Sequence, residues 1–233
     1  MKTDWIHQVQ NALRQAFFVA DSLTKANTLI YCPQGTNATA LLSSLAQVIC
    51  EPHYRTFEGL RALVYKEWHF YQHSFSQKCL VFWEPKPTLT TMQDTAKEEG
   101  FMARAASFFN SSKPDKTATM TFGHDRRIEP IFFLFLDALQ QLVKMNPLAF
   151  EYSHSYVLFL ATEVHTNRFW EFIQSEQQLH GKALPSVFAK DLRQGHRNSV
   201  YEPGHRMPLQ YAHTYVEFWF DFFVGKFRKG VEN

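Results

Sequence analysis

Residues 28–50 read TLIYCPQGTNATALLSSLAQVIC, and this stretch decides the fold. The short apolar, β-branched run at 28–32 is typical of a buried strand that ends at Cys32. A tight loop with Gly35 at its centre follows, and the leucines spaced along 39–50 predict a helix. The local order is therefore strand, tight loop and helix, with a cysteine where the strand meets the loop.

Helical periodicity dominates the rest of the chain, which predicts a helix-rich α/β fold with one clear strand. Apolar residues recur at helical spacing in five more segments: 5–23, 56–78, 131–145, 155–172 and 211–227. Residues 181–207 are loop-rich. Residues 84–127 carry prolines and glycines without long apolar periodicity, so they predict a mostly irregular insertion. Residues 79–83 are a weaker candidate for a second strand.

A single strand cannot satisfy its own backbone donors and acceptors. We therefore expect the partners of residues 28–32 to come from another segment, or the chain to be a fragment of a larger domain.

The composition indicates one sizeable core in a cytoplasmic protein. The chain has 233 residues, 45% of them apolar, including 23 phenylalanines that suit a dense interior. Its net charge of +2 disfavours nucleic-acid binding, which normally needs a concentrated basic surface. Three cysteines without framework spacing indicate reduced thiols. The longest fully apolar run, 131–136, is too short to span a bilayer.

A cysteine followed by a tight loop and a helix is the layout of a cysteine phosphatase. The N–H groups at the helix N-terminus bind an anion, and the field of the helix end lowers the pKa of the thiol. The thiolate is the nucleophile. An arginine six residues after the cysteine clamps two phosphate oxygens and stabilises the transition state.

This loop departs from that chemistry at three positions. Ala38 stands six residues after Cys32, where a guanidinium is required. Pro33 has no N–H to offer an anion, and Asn37 cannot protonate a leaving group as a carboxylic acid can. Taken alone, the pattern is no signal for a phosphatase and is far more typical of a buried cysteine at a strand end before a turn.

The residues around the loop resemble the myotubularin family of phosphoinositide 3-phosphatases. The loop of that family, Cys-Ser-Asp-Gly-Trp-Asp-Arg-Thr, is matched at Cys32, Gly35 and Thr39. Residues 52–59 are similar to its Asp-Pro-Tyr-Tyr-Arg-Thr-Ile-x-Gly segment. Lys-Glu-Trp recurs at 66–68.

Further matches follow in family order. Residues 130–137 resemble Pro-Ile-Phe-Leu-Gln-Phe-Leu-Asp, and 147–151 resemble Pro-x-Ala-Phe-Glu. The similarity runs over 5–82 and 128–227, with no counterpart for the insertion. It implies a partial myotubularin-type phosphatase domain at 1–227 and a tail at 228–233.

The resemblance also implies roles for the loop residues. The phosphate loop comprises Cys32, Pro33, Gln34, Gly35, Thr36, Asn37, Ala38 and Thr39. Cys32 takes the nucleophile position as a vestigial thiol, Asn37 replaces the general acid, and Ala38 replaces the phosphate-binding arginine. Gln34 and Thr36 replace an aspartate and a tryptophan that shape the inositol-phosphate site.

The implied function is that of a pseudophosphatase. Such a protein would regulate phosphatidylinositol 3-phosphate metabolism as a non-catalytic partner of an active myotubularin relative. It would contact phosphoinositide membranes, peripherally on endosomes, and need no cofactor or nucleic acid. Two alternatives stay open. The chain is an active phosphatase in which Arg55, Arg126 or Arg127 reaches Cys32, or it is a truncated product without independent function.

Two other clusters of residues favour ordinary structural roles. His69 and His73 lie four residues apart near Cys79, but no fourth ligand is placed, so we expect no metal. The basic loop at 196–206 is more typical of a solvated surface than of a lipid site.

Overall fold

The computed structural model describes residues 4–32, 37–70, 73, 75, 130–164, 166, 168–173, 183–209 and 216–224. Seven α-helices lie within these ranges: α1 Trp5–Leu23, α2 Ala38–Cys50, α3 Phe57–Val64, α4 Ile131–Met145, α5 His154–Glu163, α6 Lys190–Arg193 and α7 Phe220–Phe223. A π-helical turn, Tyr65–His69, extends α3. None of the described helices is long and apolar enough to cross a membrane.

Helix α4 is the centre of the core. Every residue from Ile131 to Val143 is buried, and α1, α2 and α5 pack around the helix. Aromatic contacts link α4 to the π turn, where the Trp68 ring lies 4.9 Å from that of Phe132 and 5.4 Å from that of Phe135. The predicted helices at 5–23, 39–50 and 131–145 are confirmed.

The predicted helix at 56–78 is confirmed over Phe57–Val64 and continues as the π turn. The Thr56 side chain caps α3 by accepting from the N–H of Gly59 at 3.0 Å. A Cβ at Gly59 would lie 1.8 Å from the carbonyl oxygen of His53, so only glycine fits this close backbone approach. In the π turn, the N–H of Phe70 donates to the carbonyl of Tyr65 at 2.9 Å.

The predicted strand at 28–32 is wrong for the described structure. The segment runs without regular secondary structure, and no described segment pairs with it. Its alternate side chains, Leu29 and Tyr31, are 84% and 82% exposed. A strand needs a neighbour for its backbone hydrogen bonds, and none is present among the described residues. The second strand candidate at 79–83, the insertion at 84–127 and the tail at 228–233 lie outside the described residues.

Two predicted helices are too long. Helix α5 ends at Glu163, where Thr166 donates both its N–H and its hydroxyl to the Glu163 carbonyl at 3.0 Å. The end of the helix is thereby satisfied by a turn. The prediction at 211–227 reduces, within residues 216–224, to Phe220–Phe223. The loop-rich prediction at 181–207 holds for its described part, apart from α6 and one short 3-10 turn.

Candidate phosphate-binding loop

Helix α2 begins directly after the candidate loop. Asn37 is the N-cap residue and is buried, and Ala38 is the first helical residue. The first turn of the helix contains no acidic side chain. A helix N-terminus of this kind favours an anion, because its first N–H groups lack intrahelical acceptors and the helix dipole is positive there.

The structure brings Cys32 and Thr39 together. The Thr39 hydroxyl donates to the Cys32 sulfur at 3.1 Å, across seven positions of sequence. This bond places the thiol at the start of α2. Cys32 is half-buried. The four loop residues between Cys32 and Asn37, at 33–36, lie outside the described residues.

Ala38 offers no group to an anion beyond its backbone. Its side chain is a methyl group at the first position of α2, where the motif requires a guanidinium. The Asn37 side chain is an amide, which cannot act as a general acid. The described part of the loop therefore places a thiol at a helix end and carries neither a guanidinium nor a carboxyl side chain.

Arg55 lies at the opposite end of α2. Its Nη1 donates to the carbonyls of Val48 and Ile49 at 2.9 and 3.1 Å, and its Nη2 donates to the carbonyl of His205 at 2.7 Å. The side chain is 1% exposed, and burial lowers its pKa.

The position of Arg55 tests one of the three arginines that the active-phosphatase alternative invoked. A helix rises about 1.5 Å per residue, so the two ends of α2 are separated by roughly 18 Å. Arg55 therefore cannot serve as the clamp for Cys32. Arg126 and Arg127 lie outside the described residues.

Two side chains on the π turn hold the middle of α2. Trp68 Nε1 donates to the Ser44 hydroxyl at 3.0 Å, and Gln47 Nε2 donates to the Glu67 carboxylate at 2.8 Å. Both Glu67 and Trp68 are buried. The sequence indicated these residues only as part of a family match. Their role as supports for the helix that carries the loop follows from the contacts.

The other clusters noted in the sequence have structural partners. The His69 and His73 rings pack against Phe75 with centroids 5.2 and 4.9 Å apart, and burial lowers the pKa of His69. Among the described residues, no group of three or more His, Cys, Asp or Glu side chains could hold a metal ion. Cys79 lies outside them.

The basic loop at 196–206 is also tied to neighbouring side chains. His196 bonds the Ser155 hydroxyl at 2.8 Å, and Arg197 pairs with Glu151 at 3.6 Å. His205 contacts Glu202 at 3.2 Å.

Cys32 is a half-buried cysteine at a helix N-terminus, and its sulfur accepts a hydrogen bond from a neighbouring hydroxyl. This arrangement fits the layout of a cysteine-phosphatase loop. The match to known proteins agrees with this class. A family model for the myotubularin-like phosphatase domain matches residues 1–180. The chain therefore belongs to the myotubularin-like phosphatase family.

Similar proteins include both named phosphatases and a relative without an activity in its name. Phosphatidylinositol-3-phosphatase myotubularin-1 of Arabidopsis thaliana is 27% identical over 177 residues, covering 75% of this chain and 21% of the relative. Human phosphatidylinositol-3,5-bisphosphate 3-phosphatase MTMR8 is 27% identical over 75% of this chain and 20% of its own length. Mouse myotubularin-related protein 9 is 27% identical over 75% of this chain and 26% of its own length. The chain thus spans about a fifth to a quarter of these relatives.

Proposed function

We propose that this chain is a pseudophosphatase of the myotubularin family. The observation that carries the proposal is the combination at α2: the Cys32 thiol contacts Thr39 at the helix start, while position 38 is alanine. The only described arginine that the alternatives invoked, Arg55, is bonded to backbone carbonyls at the other end of the helix.

The missing groups are costly for catalysis. Loss of one preorganised transition-state donor lowers a rate by roughly 10²–10³-fold. A charged bidentate arginine contributes at least as much, and the general acid adds a further factor of about 10²–10⁴. A thiol at a helix end without either group is left as an anion contact rather than a working nucleophile.

Phosphate release from short-chain phosphatidylinositol 3-phosphate tests the loss of activity. The purified chain and its Cys32→Ser variant are compared, with an active myotubularin-family phosphatase as positive control. We expect equal, background-level release from both. Turnover that depends on Cys32 would overturn the proposal in favour of an active phosphatase with a divergent loop.

A gain of function tests the same idea from the other side. The Ala38→Arg variant should bind inorganic tungstate, a phosphate analogue, about tenfold or more tightly than the parent chain, because a charge-assisted bidentate pair is restored. Isothermal calorimetry measures the affinities, and Ala38→Gln is the uncharged control. Equal affinities would contradict the view that the missing guanidinium disarms this loop.

The proposed cellular role is that of a non-catalytic partner in phosphoinositide 3-phosphate metabolism. The support is the family membership together with the named substrates of the relatives, phosphatidylinositol 3-phosphate and its 3,5-bisphosphate. We propose a cytoplasmic protein, peripheral on endosomal membranes, that associates with an active relative. Mixing both purified proteins should give a complex in size-exclusion chromatography and a changed kcat/KM of the active one.

The remaining alternative is a truncated product without independent function. It predicts that the chain alone does not fold. A cooperative thermal transition for residues 1–233 would contradict this alternative, whereas a non-cooperative melt together with no complex would favour it.

A further inference from the structure

Asp137 is a buried carboxylate where three parts of the molecule meet. It lies in the middle of α4 with 1% exposure, beside the first residue of α1 and the segment 216–224. Trp5 Nε1 donates to Asp137 Oδ2 at 2.6 Å, and Gln141 Nε2 donates to Oδ1 at 3.1 Å. Both carboxylate oxygens therefore face N–H donors.

Gln141 also holds the segment 216–224 on α4. Its Nε2 donates to the carbonyl of Glu217 at 2.7 Å, and its Oε1 accepts from the N–H of Glu217 at 3.3 Å. This pair of bonds, the Gln141–Glu217 latch, is supported by ring contacts. Phe222 stacks on Phe133 at 5.4 Å, and Phe223 lies edge-on to Trp5 at 5.7 Å.

The hydrogen-bond pattern favours an ionised Asp137, because both of its oxygens accept from N–H donors. An indole nitrogen is a donor only, and the Oδ2–Trp5 bond is the shorter of the two, so a proton on the carboxyl group is favoured on Oδ1, where it meets the N–H of Gln141. The amide of Gln141 can accept that proton only by rotating end over end. Its oxygen would then face the Glu217 carbonyl and its nitrogen the Glu217 N–H, and both latch bonds would be lost.

Burial favours the protonated form of Asp137. It raises the pKa of Asp137 to about 6, against the lowering by the Trp5 and Gln141 bonds. Around this carboxylate, α4 contributes the cation Lys144, the segment 216–224 contributes Glu217, and α1 contributes the neutral indole of Trp5. Lys144 and Glu217 pair with each other at 3.2 Å on the surface.

We propose that the charge on Asp137 switches the docking of residues 216–224 onto α4, with the latch closed when the carboxylate is ionised and open when it is protonated. The switch does not depend on whether the loop at Cys32 is catalytic. It makes the contact of this segment sensitive to mild acidity, while the apolar core around α4 stays packed.

Amide hydrogen exchange, corrected for intrinsic rates, tests the switch. Between pH 7.5 and 5.0, protection of the Glu217 amide should fall about tenfold relative to amides in the middle of α2, the loss that one hydrogen bond of ordinary strength produces. The stability of the whole chain should respond in the opposite sense. Because the folded pKa is raised, Asp137 favours the folded state more at pH 5.0 than at pH 7.5.

Two variants separate the switch from general loosening. Asp137→Asn imitates the protonated acid, so Glu217 should exchange fast at both pH values and lose its pH response. Lys144→Ala removes the surface ion pair with Glu217 and one cation near Asp137, but it leaves the carboxylate and the Gln141–Glu217 latch in place, so the pH response should be kept. Glu217 protection that is independent of pH in the parent chain would overturn the proposal, as would an unchanged pH response in Asp137→Asn.

Discussion

The two ends of α2 differ in whether a guanidinium lies beside them. At the N-terminal end, Cys32 meets the hydroxyl of Thr39, and the position for a guanidinium is occupied by Ala38. At the C-terminal end, the buried guanidinium of Arg55 binds three backbone carbonyls. The scaffold that positions the helix is therefore intact, whereas the end that would act on a phosphate lacks its key side chain.

This difference shows that an arginine close to a phosphatase loop in sequence need not lie in the phosphate site. Arg55 satisfies the orphan carbonyls at the end of α2, which is a structural role. Substitutions at the C-terminal end of α2 should therefore change the stability of the fold. Substitutions at the N-terminal end should change only the reactivity of the Cys32 thiol.

Arg55→Ala should give the largest effect. It removes three hydrogen bonds and leaves buried carbonyls without a partner, so we expect a loss of about 3 kcal/mol in the free energy of unfolding. Urea denaturation measures it, with the exposed Arg61→Ala as matched control. A loss below about 1 kcal/mol would break the contrast between the two ends.

Ser44→Ala, in the middle of α2, should have an intermediate effect. It leaves the buried indole N–H of Trp68 without its acceptor, which costs about 1–2 kcal/mol. Ser43→Ala, on the neighbouring position of the same helix, is the comparison in the same denaturation series, because its half-buried hydroxyl only shares the Gln47 amide, which keeps Glu67 as an acceptor. Equal, negligible losses in both would show that the Trp68 bond does not hold the helix.

Thr39→Val should change stability least, by under about 0.5 kcal/mol, because Thr39 is half-buried and its hydroxyl donates to the Cys32 sulfur, which is a weak acceptor. Its effect should appear in the rate of Cys32 alkylation by iodoacetamide. Thr39→Ser retains the hydroxyl and should retain the parental rate. Parental reactivity in Thr39→Val would remove the Thr39 bond from the description of the loop.

Cys50, the last residue of α2, gives the smallest expected effect. Burial raises the pKa of Cys50, with Arg55 opposing the shift. In a chain carrying Cys32→Ser and Cys79→Ser, the pH profile of Cys50 alkylation should therefore lie above that of a free thiol. Its rate at neutral pH should be lower than that of a model thiol, since only the thiolate reacts. A profile at or below that of the model thiol would contradict the shift.

Periodic segments were predictable because their local pattern and their packing agree. The apolar faces of α1 and α2 bury most of the residues that the spacing marked, with Leu23 exposed and Leu42 half-buried, and α4 is buried almost all round. The strand predicted at 28–32 was wrong because strand formation depends on a neighbouring strand, which local composition cannot supply. The predicted ends of α5 and α7 were wrong for a related reason. Turn contacts such as that of Thr166 override helical spacing.

The sequence by itself determined the helix that follows the loop, the family resemblance and the absence of a guanidinium at position 38, because these depend on residue identity and local spacing. Only the tertiary structure decided where Arg55 acts, that Trp68 and Glu67 support α2, and that Asp137 joins three elements. The partners of these side chains lie up to 150 residues away along the chain, and no local pattern encodes such contacts.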